Sequence, residues 1–388
     1  AVRTAEDILE NRIRLFSETV DYGDEIDWHL DYKSGRRAPL EFYRNLHMVD
    51  PVLTGDVKNT WELNRHNFLV TLGRAYWASG ERRYYEKWRE IIRSWIDRNP
   101  YNMGINWESS IELSIRTINW IWSSYFFREE LAKDESLRMD LFQTIQLHAH
   151  HIDRHLSVYF SPNTHLTVEA LGLVYAGLAY RGAIHSSRWI ERGCSTLVEE
   201  LDKQVLGDGG YFEMATYYHK YTIDLYLHYL LLERFHGGAG GLAKHRIDSL
   251  IRHLALLSGP AGKIPLLGDS DGGRILDLGC DKLDMRGACC TGAVLLESGE
   301  LKSIFREDFT EGAFWLLGEK GIERWKELPA SPPERFYSLN RESGIFCFRE
   351  GMGEGNDYVT IDCGPHGWQA CGHAHADMLS FEWFSRGV

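Results

Sequence analysis

The sequence has 388 residues, of which 44% are hydrophobic, 13% aromatic and 26% charged. This composition is typical of a globular protein and excludes wholesale disorder, a collagen-like repeat and a membrane architecture. Asp and Glu number 56 against 43 Lys and Arg, a formal net charge of -13, so general electrostatic binding to nucleic acid or to an anionic membrane is not expected.

The start of the chain, AVRTAEDILENRIRLF, predicts an amphipathic helix rather than a signal peptide. No apolar run approaches the ~18 residues that span a bilayer. The seven cysteines contain no CxxC pair, and their odd number indicates neither a complete disulfide framework nor a cysteine zinc site.

Long apolar segments with helical periodicity then recur along the chain. Each is apolar over more than one stripe, as expected of a buried helix. They are WELNRHNFLVTLGRAYWASG from Trp61, WESSIELSIRTINWIWSSYFF from Trp107, HLTVEALGLVYAGLAY from His165, YYHKYTIDLYLHYLLLERF from Tyr217 and RIDSLIRHLALLSG from Arg246.

Amphipathic, charge-rich helices are predicted between these segments. They lie at RRYYEKWREIIRSWIDRN before Pro100 and near residues 137–157 and 186–204, so buried and exposed helices alternate. Helical hairpins with apolar inner members can stack as a solenoid or close on themselves as an (α/α) toroid, and other bundles remain open. The length fits two domains, or one large repetitive domain, at roughly 100–200 residues each.

The periodicity changes after Pro329. The proline-bearing segment ASPPERF is followed by SGIFCFRE, DYVTIDCG and LSFEWFS, runs with two-residue alternation that are separated by Gly-rich turns. We expect residues 1–334 to form a helical domain and residues 335–388 to form the first part of an antiparallel β domain. Because no turn follows the last run, we expect the chain to end inside that β domain.

The first candidate site is the segment SPNTH at 161–165, at the start of an apolar helix, with Glu169 one turn beyond His165. A structural interpretation makes Asn163 or Thr164 the N-cap and pairs His165 with Glu169. In a functional interpretation, the amide and the backbone N–H groups at the helix start bind a carboxylate. The spacing alone does not decide between them.

The second candidate is GDGGYFEMATYYHKY, a Gly-rich loop that leads into a helix bearing Tyr217, Tyr218 and His219. Tyrosines in such a run are core residues more often than catalysts. A Tyr beside a His at a loop-to-helix junction, preceded by Glu213, is nevertheless a polar cluster that packing alone does not require.

The third candidate, PLLGDSDGGRI, places Asp269, Asp271 and Arg274 in a turn, which is either solvated or a sugar-binding loop. The fourth is CGHAHADMLSF, in which His373, His375 and an Asp alternate and would share one face of a strand. His-x-His pairs suit zinc ligation or acid–base work by one imidazole. Three residues do not complete the usual four ligands of a zinc site.

The motifs, taken in order, resemble the heparinase II/III-like polysaccharide lyases, a grouping that includes heparin, heparan and alginate lyases. The resemblance rests on WELNRH, NWESSIELSIRTINW, SPNTHLTVEALGL, DGGYFEMATYYHKYT, LLGDSDGGR and GHAHADMLSFE. It implies a mainly α fold class, an incomplete (α/α) toroid of helical hairpins followed by the start of an antiparallel β-sheet domain.

The resemblance also implies β-elimination at a 4-linked uronate. This reaction removes the C5 proton and protonates the departing O4, so it needs a carboxylate clamp, a base and an acid. By position in the motifs, the clamp falls on Asn163 and His165, the acid and often the base on Tyr218, and a further base or neutraliser on His373. No cofactor is required, although in zinc-containing relatives the residue matching His375 is a structural metal ligand.

Substrate contacts are expected from further residues of the same motifs. They are Arg116, Trp107, Glu169, His219, Asp271 and Arg274.

The chain departs from the family pattern at two positions. Thr164 separates Asn163 from His165, and Thr222 stands where some heparinases have an Arg, which argues against assuming a highly sulfated substrate. Arg116 and Arg274 are the alternative sources of positive charge. A tyrosine base would need such neighbours to lower its pKa of ~10.

The sequence therefore predicts a polysaccharide lyase that acts on an acidic, uronic-acid-containing glycan, with no nucleic-acid or membrane partner. One alternative is a glycoside hydrolase that uses carboxylates such as Glu112, Asp208, Glu213 or Asp269 as an acid and base pair. Another is a glycan-binding protein without catalysis. Glycan degradation favours a periplasmic or secreted location, with the cytoplasm left open.

Overall fold

The computed structural model of the chain describes residues 1–48, 50–236, 243–259, 261–305, 308–333, 337–353, 355–368 and 371–385, with the backbone alone at 235 and 236. The chain divides into two compact units, residues 1–194 with 275–277, and residues 195–274 with the described part of 278–388. The predicted domain boundary at 334 and 335 lies outside the described residues, so that domain division stays a prediction.

The first unit is built mainly from helices and begins with two small β-hairpins. Its elements are α1 (Val2–Leu9), β1 (Arg12–Leu15), β2 (Glu18–Asp21), β3 (Leu30–Asp31), β4 (Arg36–Arg37), α2 (Val57–Asn64), α3 (Phe68–Ser79), α4 (Arg83–Arg98), α5 (Ser110–Phe126), α6 (Arg128–Leu131), α7 (Glu135–Arg154), α8 (Thr164–Ala179) and the start of α9 (Ser186–Gln204).

The second unit contains the rest of α9, five more helices and one sheet. Its further elements are α10 (Thr216–His236), α11 (Lys244–Leu257), α12 (Arg286–Leu296), α13 (Gly299–Ile304), α14 (Glu311–Glu327), β5 (Tyr337–Leu339), β6 (Ile345–Arg349), β7 (Tyr358–Asp362) and β8 (Phe381–Phe384). None of the helices in the described ranges is both long and apolar enough to cross a bilayer.

The predicted alternation of buried and exposed helices is confirmed. In α5 the residues from Ser110 to Trp120 are all buried, and in α8 nearly every residue is, as expected of helices that are apolar on every side. In α4, by contrast, burial follows one stripe through Trp88, Ile92 and Trp95, while the opposite face is charged. The fold class, mainly α with helical hairpins and a terminal antiparallel sheet, is confirmed.

The prediction of one N-terminal helix through residue 16 is wrong. Helix α1 ends at Leu9, and Arg12–Leu15 instead pairs antiparallel with Glu18–Asp21. Asn11 adopts a left-handed φ of 54°, which a helix interior does not allow, and Ile13 and Leu15 are buried with the two-residue period of a strand. The helical pattern therefore continued in the sequence past the residue that ends the helix.

The four strands β5–β6–β7–β8 form an antiparallel meander that packs one face on α11. From this face, Arg349 donates to the carbonyls of Leu256 and Ser258 at 2.8 and 3.0 Å. A cation at the carboxyl end of a helix satisfies unpaired carbonyls and favours the helix dipole. The other face exposes aromatic side chains, with Phe381 66% and Trp383 68% exposed.

The three predicted strand runs are confirmed by β6, β7 and β8, but the strand prediction for the His-x-His segment is wrong. Residues 371–379 form turns, and β8 begins only at Phe381. Cys371 and Leu379 have left-handed φ values of 52° and 66°, which interrupt extended pairing at both ends of the segment. The alternation of His373, His375 and Asp377 therefore does not place them on one face of a strand.

Buried imidazoles predict that acid destabilises the protein. Burial and the Arg116 charge hold the pKa of His66 well below its usual value, and burial lowers the pKa of His151 and of His219 to about 3. Unfolding restores a pKa near 6.5, so the unfolded chain binds more protons. Their contribution to stability is complete above pH ~6.5 and is lost as the pH falls towards 3.

We therefore expect the urea midpoint of unfolding to fall on acidification below pH ~6.5. Replacing His219 with Gln should make this dependence shallower. The matched control is His375→Gln, because the His375 side chain is 57% exposed and should leave the slope unchanged. A midpoint independent of pH across this window would contradict the assignment of neutral buried histidines.

Candidate functional site

The candidate site lies in the second unit, where Tyr218 and His373 meet three carboxylates. Tyr218 is in the first turn of α10, and the loop of residues 207–215 before it carries Glu213. The loop 265–274 carries the other two carboxylates, Asp269 and Asp271. The turn segment 371–379 supplies His373.

Asp208 fixes the loop that carries Glu213. Its Oδ2 accepts hydrogen bonds from the backbone N–H groups of Glu342 and Ser343 at 2.9 and 2.8 Å, and its Oδ1 accepts from Gly210 N–H at 3.0 Å. Burial raises the pKa of Asp208, but these hydrogen bonds outweigh burial and lower it overall. The carboxylate therefore ties the loop to the turn between β5 and β6.

The other segments of the site are joined by short polar contacts. Thr216, at the start of α10, donates its backbone N–H to the Leu267 carbonyl at 3.0 Å. Gly268 N–H donates to Asp377 at 2.6 Å, and Asp269 N–H donates to the His373 carbonyl at 2.9 Å. Gly268 has a φ of 69°, and a Cβ there would lie 2.8 Å from the His373 carbonyl oxygen, so only glycine allows this approach.

His373 lies between two carboxylates. Its Nε2 is 3.0 Å from Glu213 Oε2, and its Nδ1 is 3.4 Å from Asp269 Oδ2. Burial lowers the pKa of His373, but the hydrogen bonds and charges of Glu213 and Asp269 outweigh burial and raise it. The protonated imidazole is thereby favoured.

Tyr218 stacks on this imidazole and donates to the third carboxylate. The two ring centroids are 3.7 Å apart, and the phenol O–H donates to Asp271 Oδ2 at 3.0 Å. Burial raises the pKa of Tyr218 far above 10, and Asp271 raises it further. Burial and the neighbouring carboxylates therefore move this pKa in the direction opposite to the one that a tyrosine base would need.

Two other predicted site residues of this unit have different surroundings. His219 is buried, and its Nε2 contacts the Leu250 carbonyl of α11 at 2.8 Å. In this placement its side chain joins α10 to α11 inside the core. Arg274 lies at the end of the loop that holds Asp271 and is partly exposed. The substrate contacts expected of His219 and Arg274 stay predictions.

A zinc ion does not fit the described residues around His375. Its Nε2 is 4.0 Å from Asp269 Oδ1, and its side chain is more than half exposed. Across the ranges that the structure describes, no three His, Cys, Asp or Glu side chains are grouped to hold a metal ion. Structural zinc needs four ligands, and this pair supplies two.

In the first unit, Asn163 and His165 lie together at the start of α8. Asn163 is the N-cap, and its Oδ1 accepts from the backbone N–H of His165 at 3.0 Å and lies 3.1 Å from the ring Nδ1. Since the amide oxygen is used in capping, the amide N–H group is the part suited to an anionic ligand. The capping role offered by the structural interpretation is thus confirmed for Asn163, and the carboxylate-binding role stays a prediction.

Glu169 does not pair with His165. Its carboxylate accepts from the backbone N–H and the hydroxyl of Ser157, both at 2.7 Å. Burial raises the pKa of Glu169 to about 7, against these two hydrogen bonds. Glu169 therefore anchors the loop that precedes α8, and its predicted substrate contact stays a prediction.

Arg116 and Trp107 lie in the core of the first unit. Arg116 is fully buried and donates to the carbonyls of Asn64 and Asn106 at 3.1 and 2.9 Å. Trp107 is 1% exposed, and its indole N–H donates to the Asn99 carbonyl. Their predicted substrate contacts receive no support from these surroundings.

The carboxylates considered for hydrolysis all have structural partners. Glu112 is buried and paired with Arg65 through two contacts of 2.7 Å, while Asp208 accepts backbone N–H groups. Glu213 and Asp269 face each other across the ring of His373. The imidazole occupies the space in which a glycosidic bond would have to lie between an acid and a base.

Glu213 and Asp269 were not predicted as partners of His373. Both stand inside the motifs, as the Glu of YFEMATYY and the first Asp of GDSDGG. A carboxylate placed near a catalytic histidine is a common way to fix its orientation and charge. Their acidity was visible in the sequence, but the pairing depends on turns that periodicity does not reveal.

Comparison with known proteins identifies the family of the chain. The family model described as heparinase II/III N-terminus matches residues 5–275. Heparin-sulfate lyases from Bacteroides stercoris and Pedobacter heparinus are both 22% identical to the chain, over 95% of its length. The chain spans about half of these relatives, 51% and 49% of their lengths.

Solved structures show the same fold. A mutant heparan sulfate lyase from Pedobacter heparinus superposes with a TM-score of 0.62 at 20% identity, covering 100% of this chain and 54% of that one. A structure described as heparinase III gives a TM-score of 0.73 at 17% identity, covering 99% of this chain and 56% of that one.

The contact between Glu213 and His373 predicts a measurable change in the pKa of His373. In Glu213→Gln the hydrogen bond to a charged acceptor is lost, so we expect the pKa of His373 to fall. Titration of imidazole resonances by NMR, with His373→Gln to assign the signal, measures the change. Glu382→Gln is the control, because Glu382 accepts from Leu266 N–H instead. An unchanged pKa of His373 in Glu213→Gln would contradict the contact between Glu213 and His373.

Proposed function

Since the chain belongs to the heparinase II/III family, we propose that it is a polysaccharide lyase that cleaves a uronic-acid-containing glycan by β-elimination. The observation that carries this proposal is the stack of Tyr218 on His373 within reach of three carboxylates. A phenol and an imidazole held in contact supply the two proton-transfer groups that the reaction requires.

The reaction has three chemical demands. The C5–H bond of the uronate breaks, a C4=C5 double bond forms, and the C4–O4 bond breaks with a proton arriving at O4. The C5 proton becomes acidic only when the neighbouring carboxylate is neutralised.

Tyr218 is assigned the proton transfers at C5 and O4. Its oxygen is fixed by Asp271, and its ring is fixed by His373. His373, whose pKa is raised, is assigned the positive charge beside the reacting sugar. An imidazolium there stabilises the charge that develops on the uronate as the C5 proton leaves.

Neutralisation of the substrate carboxylate is assigned to Asn163 and His165. An amide N–H group at a helix start, next to an imidazole, is suited to bind a carboxylate. No step is assigned to zinc, because the described residues near His375 do not complete a site.

The substrate class follows from the same chemistry. The relatives' names point to heparin and heparan sulfates, so a uronate-containing glycosaminoglycan is the first polymer to test. Such polymers lie outside the cytoplasm, and we propose a periplasmic or secreted location.

Glycoside hydrolysis is less well supported than elimination. The His373 ring lies between Glu213 and Asp269 and occupies the space that a sugar and a water would need there. The remaining carboxylates, Glu112 and Asp208, are used in internal contacts.

The test is the ultraviolet absorbance of the conjugated double bond when the full-length protein meets uronate polymers. Tyr218→Phe should lower turnover by roughly 10²–10⁴-fold, because it removes the proton-transfer oxygen. Tyr226→Phe is the matched control, since it makes the same change on the same helix and removes only a 3.0 Å hydrogen bond to the Leu197 carbonyl. We expect it to retain activity.

New reducing ends without the absorbance would establish hydrolysis instead. Binding measured by calorimetry, with no product of either kind, would establish a glycan-binding protein. Full activity in Tyr218→Phe would remove Tyr218 from the mechanism.

A further inference from the structure

The direction of the Tyr218 hydrogen bond decides what its oxygen can offer to a ligand. A phenol has one proton, and here that proton is donated to Asp271 Oδ2 at 3.0 Å. Only lone pairs remain on the oxygen for a third group. Towards a substrate, Tyr218 is therefore an acceptor.

Asp271 is itself held in place. Its Oδ1 accepts from Gly273 N–H at 2.9 Å, and the Gly273 carbonyl accepts from the hydroxyl of Tyr217. Adjacent tyrosines of α10 thus bind both the carboxylate and the backbone of one short loop. The Tyr218–Asp271 distance is fixed by this double attachment.

Tyr218 does not ionise near neutral pH by itself. Burial and the carboxylates of Asp271, Asp269 and Glu213 all raise its pKa, while the His373 imidazole stacks on its ring. A phenol with a pKa this far raised acts as a base only if its own proton leaves as another arrives.

We propose that Asp271 is a positioning residue that relays the Tyr218 proton during elimination. Asp271 accepts the phenol proton while the Tyr218 oxygen takes the C5 proton of the uronate. The inference rests on the proposed lyase function.

The proton and electron balance is complete. The C5–H electron pair becomes the C4=C5 bond, and the C4–O4 pair leaves with O4. Tyr218 then passes a proton to O4, and Asp271 returns its proton to Tyr218. Moving a proton from a phenol, whose ordinary pKa of ~10 is raised further in Tyr218, to a carboxylate with an ordinary pKa of ~4 is unfavourable alone. The relay therefore operates only together with proton transfer from C5.

Asp271→Asn keeps the shape and loses the proton acceptor. We expect kcat to fall by about 100-fold or more with little change in KM, because the substrate contacts remain. The acid limb of the kcat profile should disappear, because the amide that replaces the carboxylate neither gains nor loses a proton in this range. A merely structural role would lower activity without changing the profile.

The matched control is Asp281→Asn. Asp281 accepts from Leu283 N–H at 3.0 Å, the same two-residue turn that Asp271 makes with Gly273. We expect its rate and pH profile to equal those of the wild type.

Chemical rescue covers the case in which Asp271→Asn does not fold. In Asp271→Ala, added formate should restore part of kcat and chloride should not, since only formate accepts a proton. Unchanged kcat in Asp271→Asn, or a lowered kcat with an unchanged pH profile and no formate rescue, would overturn the relay.

The two proposals fail in different ways. If the wild type forms no unsaturated product, the lyase function is wrong. If the wild type is active while the Asp271 variants behave as stated for a structural role, only the relay is wrong.

Discussion

The site depends on one interaction, the contact of the His373 imidazole with the carboxylate of Glu213 at 3.0 Å. It joins the loop before α10 to the turn segment before β8, which are far apart in the sequence. Tyr218 stacks on the imidazole that this contact helps to hold in place. The Glu213 loop is fixed in turn by Asp208, which spends its carboxylate on backbone N–H groups rather than on a ligand.

This arrangement sets an electrostatic problem for an anionic substrate. Glu213, Asp269 and Asp271 bring three negative charges to a site with one imidazolium. His373 balances in part the charges of Glu213 and Asp269. The Asp271 carboxylate accepts a hydrogen bond from the Tyr218 phenol. The proposed neutralisation of a uronate carboxylate is therefore assigned to other groups. Asn163 and His165, at the start of α8, are the residues to which the family pattern assigns that task.

Much of the fold could be predicted from periodicity. Helix α9 was placed at its observed residues from its amphipathic pattern, and α5, α8, α10 and α11 within a few residues, because buried helices are apolar on every side. The exceptions are local. A left-handed Asn11 ended a helix whose pattern continued, and left-handed Cys371 and Leu379 turned an alternating run into turns. A single backbone angle of this kind leaves no mark on hydrophobic spacing.

The site was predictable in its members but not in its contacts. The motifs identified Tyr218, His373 and Asp271, yet they did not indicate that Asp271 accepts the Tyr218 proton. Burial also separated residues that the sequence treats alike. Arg116 lies in the core among main-chain carbonyls, whereas Asp271 lies in a partly exposed loop. Such differences arise from tertiary packing, which one sequence does not encode in any local pattern.

Helix α11 connects the loop that carries Glu213 to the sheet. Arg349 of β6 holds the carboxyl end of α11, while His253 of the same helix contacts the Asp208 carbonyl at 3.1 Å. Asp208 in turn binds the turn between β5 and β6. Strand β6, helix α11 and the loop that contains Asp208 are therefore linked in a ring of contacts. Each of the three therefore supports the other two. Amide protons of β6 and of the loop at 207–213 should therefore exchange with solvent as one cooperative group, so the sheet contributes to the rigidity of the loop that carries Glu213.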